Sequence, residues 1–127
     1  MPDDQKTILV VDDDPDARDF FITVLEDHGY ATVSARDGNV ALQQLEKGLP
    51  DLVTLDITMP EKSGVGVYRK LKETDEYKGI PVVIITGVSD DFKQFISSRR
   101  QVPPPEGYLS KPVEPQDLVA KVEELLS

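Results

Sequence analysis

Three short apolar runs constrain this chain more than any other feature: Ile8–Val11, Leu52–Leu55 and Val82–Ile85. Each spans four residues, is rich in β-branched side chains and, apart from Thr54, contains nothing polar. A run that is apolar at every position has no face to give to water, so it predicts a strand covered on both sides. Ala31–Ala35 and Tyr108–Ser110 read as two weaker strands. Between the runs, apolar residues recur at helical spacing. Asp14 followed by Pro15 reads as a cap and a first helical position. Phe20, Phe21, Val24 and Leu25 follow, and Gly29 closes that helix. Asp37–Asn39 turns into a helix carrying Ala41, Leu42 and Leu45, which Gly48 ends. Val65, Val67, Tyr68 and Leu71 mark a third helix, weakened by Gly66, with Arg69, Lys70 and Lys72 pointing outward. Phe92, Phe95 and Ile96 mark a fourth, core-facing helix capped by Ser89 or Asp90. Pro103–Pro105 cannot be helical and predicts an extended turn. Glu114 and Pro115 open a last helix bearing Leu118, Val119, Val122, Leu125 and Leu126. Five strand–helix units without a repeat or a linker predict one α/β domain, a parallel sheet with helices on both faces.

Such a doubly wound sheet binds its ligands at the carboxyl ends of its strands. Asp12, Asp13 and Asp14 follow the first strand, Asp56 the third, Thr86 and Gly87 the fourth, and Lys111 and Pro112 the fifth. The second ends only in the turn Arg36–Gly38. Asp14 is accounted for as the helix cap. Asp12, Asp13 and Asp56 bring three negative charges and Lys111 one positive, leaving −2 on one rim. Crowded carboxylates stay ionised only if something balances them. A divalent cation does so, and an all-oxygen donor set without cysteine or nearby histidine favours Mg²⁺ or Mn²⁺ over zinc. A metal held this way neutralises charge in phosphoryl transfer, an aspartate can act as the nucleophile, and a lysine supplies a point charge to phosphate oxygens. A threonine hydroxyl and a backbone N–H complete the cradle. This inventory fits phosphoryl capture better than acyl transfer or sugar hydrolysis.

Charge narrows the partners. With 24 acidic against 14 basic residues the formal net charge is −10, so direct nucleic-acid binding and docking on anionic membranes are not expected. The acidic, polar N-terminus is no signal peptide, and no apolar run approaches the ~18 residues that span a bilayer. A cysteine-free chain has neither disulfides nor thiolate metal sites. A cytoplasmic location is the expectation. His28, the only histidine, precedes Gly29 at a helix C-terminus, where a positive charge is favoured; it reads as structural and not as a phosphodonor.

Taken together, Ile8–Pro15, Leu55–Asp56 with Met59, Pro60 and Gly64, Ile84–Gly87, and Tyr108–Pro112 resemble the receiver domains of bacterial two-component response regulators, the CheY-like family. The resemblance runs from about Ile8 to the chain end, so residues 1–127 read as a single receiver domain with its core at about 7–126. It implies a flavodoxin-like sheet of order 2-1-3-4-5. It implies Asp56 as phosphoacceptor, Asp13 as direct metal ligand, and Asp12 as the residue that holds the metal's water and orients the site. The backbone carbonyl of Thr58 would be a further ligand. Thr86, the Gly87 N–H and Lys111 would bind phosphate, and the Lys111–Pro112 peptide would be cis. Thr86 and Tyr108 would form the switch, changing the surface of the fourth helix, fifth strand and fifth helix when phosphorylated. The implied partners are a histidine kinase or histidine phosphotransfer protein as donor and a downstream partner or output domain, with the chain a monomer or a phosphorylation-dependent dimer. Such a domain catalyses only its own phosphorylation and dephosphorylation. Gly87 stands where alanine is usual, Thr54 interrupts the third strand, and the stretch from Thr86 to Lys111 is longer than usual. Val88 and Thr58 occupy positions that tune hydrolysis in the family. The chain ends after the last helix, which suits either a single-domain regulator or a piece of a longer protein. Two other readings stay open: a pseudo-receiver that only binds, and an aspartate-nucleophile phosphatase. The latter usually carries a second acid where this chain has Thr58.

Overall fold

The computed structural model describes residues 5–56, 63–86 and 105–126. In chain order they form β1 (Thr7–Val11), α1 (Pro15–Asp27), β2 (Ala31–Ala35), α2 (Gly38–Lys47), β3 (Leu52–Asp56), α3 (Ser63–Glu73), β4 (Val82–Thr86), β5 (Gly107–Ser110) and α4, the C-terminal helix (Pro115–Leu126). The five strands make one parallel sheet, as the apolar runs predict, in the order β2-β1-β3-β4-β5 that the resemblance implies. The helix expected around Phe92, Phe95 and Ile96, its caps Ser89 and Asp90, Pro103, and the loop residues Met59 and Pro60 lie outside the described residues.

The apolar runs are buried on both faces because successive strand side chains point to opposite sides. Leu9, Val11, Val53, Leu55, Val82 and Ile84 enter one core with Ala41 and Leu45 of α2 and Val67, Tyr68 and Leu71 of α3. Ile8, Val10, Leu52, Val83 and Ile85 enter the other, with Phe21, Val24 and Leu25 of α1 and Leu118, Val119 and Val122 of the C-terminal helix. Each fully buried aliphatic side chain contributes about 1.5–3 kcal/mol. Tyr77 and Ile80, in the turn after α3, also reach the first core. Thr54 is buried at the centre of β3, where it opposes Val10 and Val83.

The caps follow the local sequence. The Asp14 side chain accepts from the Asp16 N–H with Pro15 behind it. Asp37 accepts from the Val40 N–H at the start of α2. Gly29 takes φ +92°, a left-handed conformation that costs glycine little. A side chain at Gly107 would meet Val83 and Lys121 at 3.0–3.1 Å, so glycine lets β5 lie tight under the C-terminal helix.

Two helix readings need correction. Lys72 does not point outward: its side chain is 2% exposed and its Nζ donates to both carboxylate oxygens of Glu106, at 2.7 and 2.8 Å. Glu106 Oε1 also accepts from the Val82 N–H at 2.8 Å, while the Glu106 N–H donates to the Val82 carbonyl. The pair thus ties α3 to the starts of β4 and β5. Phe20 shares the helical spacing of the core residues of α1 but is 39% exposed, resting edge-on against buried Phe21.

Candidate functional site

β1 and β3 end side by side and β5 ends on the same rim across β4, although their last residues are far apart in sequence, and the charged groups at or just past these ends converge. Asp12, immediately after β1, is 1% exposed; Asp56, the last residue of β3, is 2% exposed. Asp13 lies on the surface beside them. Carboxylate oxygens of Asp12, Asp13 and Asp56 lie within 4.8 Å of one another. Lys111, just past β5, places its Nζ 3.1 Å from Asp12 Oδ2 and 3.3 Å from Asp56 Oδ2. The Lys111–Pro112 peptide is cis.

Asp12 is held on every polar atom. Its N–H donates to the Ala35 carbonyl at 3.1 Å, continuing the β1–β2 ladder by one residue. Its Oδ1 accepts from the Asp14 N–H at 2.9 Å, its Oδ2 from Lys111, and its carbonyl from Arg18 Nη1 at 2.9 Å. Burial pushes its carboxyl above the ordinary aspartate range. The Asp14 N–H works against this, the like charge of Asp56 adds to it, and Lys111 opposes both. Burial works against the Lys111 ammonium, but the hydrogen bond and charge of Asp12 and the charge of Asp56 outweigh it and raise its pKa.

Three carboxylates and one ammonium leave an excess of negative charge on hard oxygen donors. That donor set fits Mg²⁺ or Mn²⁺ and offers nothing soft for zinc. Of the expected site residues, Asp12, Asp13, Asp56 and Lys111 are brought together. Thr86 ends β4, hydrogen-bonded beside Ser110 of β5 and so on the same rim, though its side chain is outside the description. Thr58, Gly87 and Val88 lie outside the described residues. Tyr108 sits in β5, half-buried against the core that holds Tyr68. His28 caps its helix, with Nδ1 2.9 Å from the Val24 carbonyl. Arg18 was not singled out by the sequence. Its contact is to a backbone carbonyl, and no side-chain pattern marks such an acceptor.

Comparison with known proteins agrees with this arrangement. The family model described as the response regulator receiver domain matches residues 8–123. A 14.6 kDa protein of Leptolyngbya boryana is 34% identical over 120 residues, covering 94% of this chain and 89% of that protein. The DNA-binding response regulator MtrA of Mycolicibacterium smegmatis is 34% identical over 118 residues, covering 93% of this chain and 49% of its own length. The chain therefore spans about half of that regulator. Among solved structures, the chemotaxis response regulator CheY4 of Vibrio cholerae superposes with a TM-score of 0.83 at 27% identity, covering 96% of this chain and 99% of that one.

Proposed function

The chain belongs to the response regulator receiver domain family, and from that premise we propose that it stores a phosphoryl group on Asp56 as the switch of a two-component pathway. Receiver domains are phosphorylation-dependent signalling switches and not metabolic enzymes. The observation that carries the assignment to Asp56 is its placement. It is a buried carboxylate at a strand end, 3.3 Å from the Lys111 ammonium and beside two further acids.

The reaction follows from these groups. A carboxylate oxygen of Asp56 attacks the phosphorus of a phosphohistidine on a kinase or phosphotransfer protein. A P–O bond forms, the P–N bond breaks, and the imidazole leaves and takes up a proton. Asp13, Asp56 and the Thr58 carbonyl would hold Mg²⁺, or Mn²⁺ in its place, with Asp12 holding the metal's water. When bound, the cation neutralises charge on the transferring oxygens. Lys111, already on the Asp56 carboxylate, places its charge where the phosphoryl oxygens arrive. The Thr86 hydroxyl and the Gly87 N–H take the remaining oxygens. Movement of Thr86 toward the phosphoryl group makes room for Tyr108. That changes the surface around β5 and the C-terminal helix read by a partner or output domain. The acidic surface leaves contact with nucleic acid to such an output domain. Residues 1–127 act as one receiver domain in the cytoplasm.

Intact-mass spectrometry after incubation with Mg²⁺ and acetyl phosphate tests this. One alkali-labile phosphoryl group is expected, absent without metal and absent in Asp56→Asn. A folded, Mg²⁺-binding chain that acetyl phosphate and phosphohistidine donors both leave unmodified would remove Asp56 from the acceptor role.

A further inference from the structure

We infer that Arg18 is a positioning residue for the divalent-cation site, acting through the Asp12–Asp13 peptide; the inference rests on the receiver reading above. β1 stops at Val11, and the Asp12 N–H makes the last ladder bond on that side, to Ala35. The Asp12 carbonyl is therefore beyond the sheet and takes its partner from α1. Arg18 is the fourth residue of that helix. Its own N–H donates to the Asp14 carbonyl at 2.9 Å and closes the first turn. Helical side chains lean toward the N-terminus, which carries the guanidinium back over that turn to the Asp12 carbonyl, 2.9 Å from Nη1.

This bond has a consequence for Asp13. A peptide is planar, so fixing the Asp12 carbonyl also fixes the Asp13 nitrogen and Cα. Among the described residues no hydrogen bond reaches the Asp13 carboxylate, and no ion pair does either. Its placement rests on its backbone, held on one side by Arg18 on the Asp12 carbonyl and on the other by the Asp14 N–H on Asp12 Oδ1. Asp12 has four partners of its own and Asp56 is carried by β3, so Asp13 is the member of the triad that needs such a support.

Charge and position predict opposite effects, which makes the role testable. Arg18 is a cation near a cation site. If its charge were all that mattered, removing it would tighten metal binding. If it positions Asp13, removing it loosens a ligand, and supports of this kind are worth about tenfold or more in metal affinity. Alanine is at least as good a helix former as arginine, so Arg18→Ala does not weaken α1 itself.

Calorimetric titration of the metal-free chain with MgCl₂, and separately with MnCl₂, decides between them. The expected result is about tenfold weaker binding of both ions in Arg18→Ala and recovery of most of the loss in Arg18→Lys, which keeps a donor and the charge. With acetyl phosphate, the Arg18→Ala chain should be slow at limiting Mg²⁺ and normal at saturating Mg²⁺, because Asp56 is untouched. Unchanged or tighter metal binding in Arg18→Ala overturns the positioning role. A phosphorylation rate that stays low at saturating Mg²⁺ overturns it also. An unaltered chain that binds neither ion overturns the receiver reading and this inference with it. An Arg18→Ala chain that fails to fold leaves Arg18→Met to decide, because it keeps an apolar stem for packing but has no donor and no charge: weaker Mg²⁺ binding supports the role, and equal or tighter binding rejects it.

Discussion

At the scale of single residues, the site is a set of charges held closer than water would allow. Asp12 and Asp56 are both nearly inaccessible, and one ammonium serves both. The like charge of Asp56 adds to burial in pushing the Asp12 carboxyl upward. Neutralising Asp56 should therefore relieve the metal-free protein even though it costs the contact with Lys111. Asp56→Asn is expected to be more stable than the unaltered chain in chelator by about 1–2 kcal/mol, which is several degrees of melting temperature for a domain of this size. Differential scanning calorimetry in EDTA checks this. A variant that melts lower would mean that Lys111 already compensates both carboxylates. The same residues show what sequence reveals at this scale. Side chains of one sign crowded at strand ends are legible as a pair and a partner. That Asp12 is the wrapped member and Asp13 the open one depends on backbone bonds to Ala35, Asp14 and Arg18, which no residue type announces.

Among the elements, the three central strands are the most legible, because a short run apolar at every position leaves no face for water; the partly exposed edge strands β2 and β5 are weaker signals. Helical faces are less legible, and Lys72 shows why. Its charge groups it with Arg69 and Lys70 as an outward residue, yet it stands one turn after buried Tyr68 and is itself buried because Glu106, 34 residues on, receives it. A lysine is expected outside unless paired, and the pairing is long-range. The helix expected around Phe95 lies outside the described residues, and so does the Pro-rich turn apart from Pro105. Glu106 in turn grips both polar atoms of the Val82 backbone, so the pair fixes where β5 begins against β4. Lys72→Met keeps the packing on Tyr68 and removes the charge. It leaves Glu106 with the Val82 N–H alone, but that side chain is 37% exposed and regains water. The loss should therefore fall short of a fully buried broken pair, at about 1–3 kcal/mol. Urea denaturation read by circular dichroism checks the value. A change near zero would mean that the hydrogen bond to Val82 alone holds β5.

For the molecule as a whole, the excess of acid acts at two ranges. A net charge of −10 on 127 residues repels itself across the surface, and that repulsion is screened within roughly 10 Å at 0.1 M salt. Sodium chloride should raise the melting temperature by this route and level off as screening becomes complete. Mg²⁺ does the same and adds a second contribution wherever it binds the folded site and not the unfolded chain. That contribution grows with concentration, to about 2.7 kcal/mol at a hundredfold excess over Kd. At matched ionic strength MgCl₂ should therefore stabilise more than NaCl, and the difference should keep rising after the NaCl effect has levelled. Asp13→Ala separates the two contributions. Its carboxylate is exposed and its loss changes the surface charge by one, so the NaCl response should survive while the extra response to Mg²⁺ falls away. Thermal melts of both chains in the two salts make the comparison. If MgCl₂ and NaCl coincide for the unaltered chain, the acids at the strand ends attract cations only diffusely, and the phosphoryl chemistry assigned to Asp56 loses its metal.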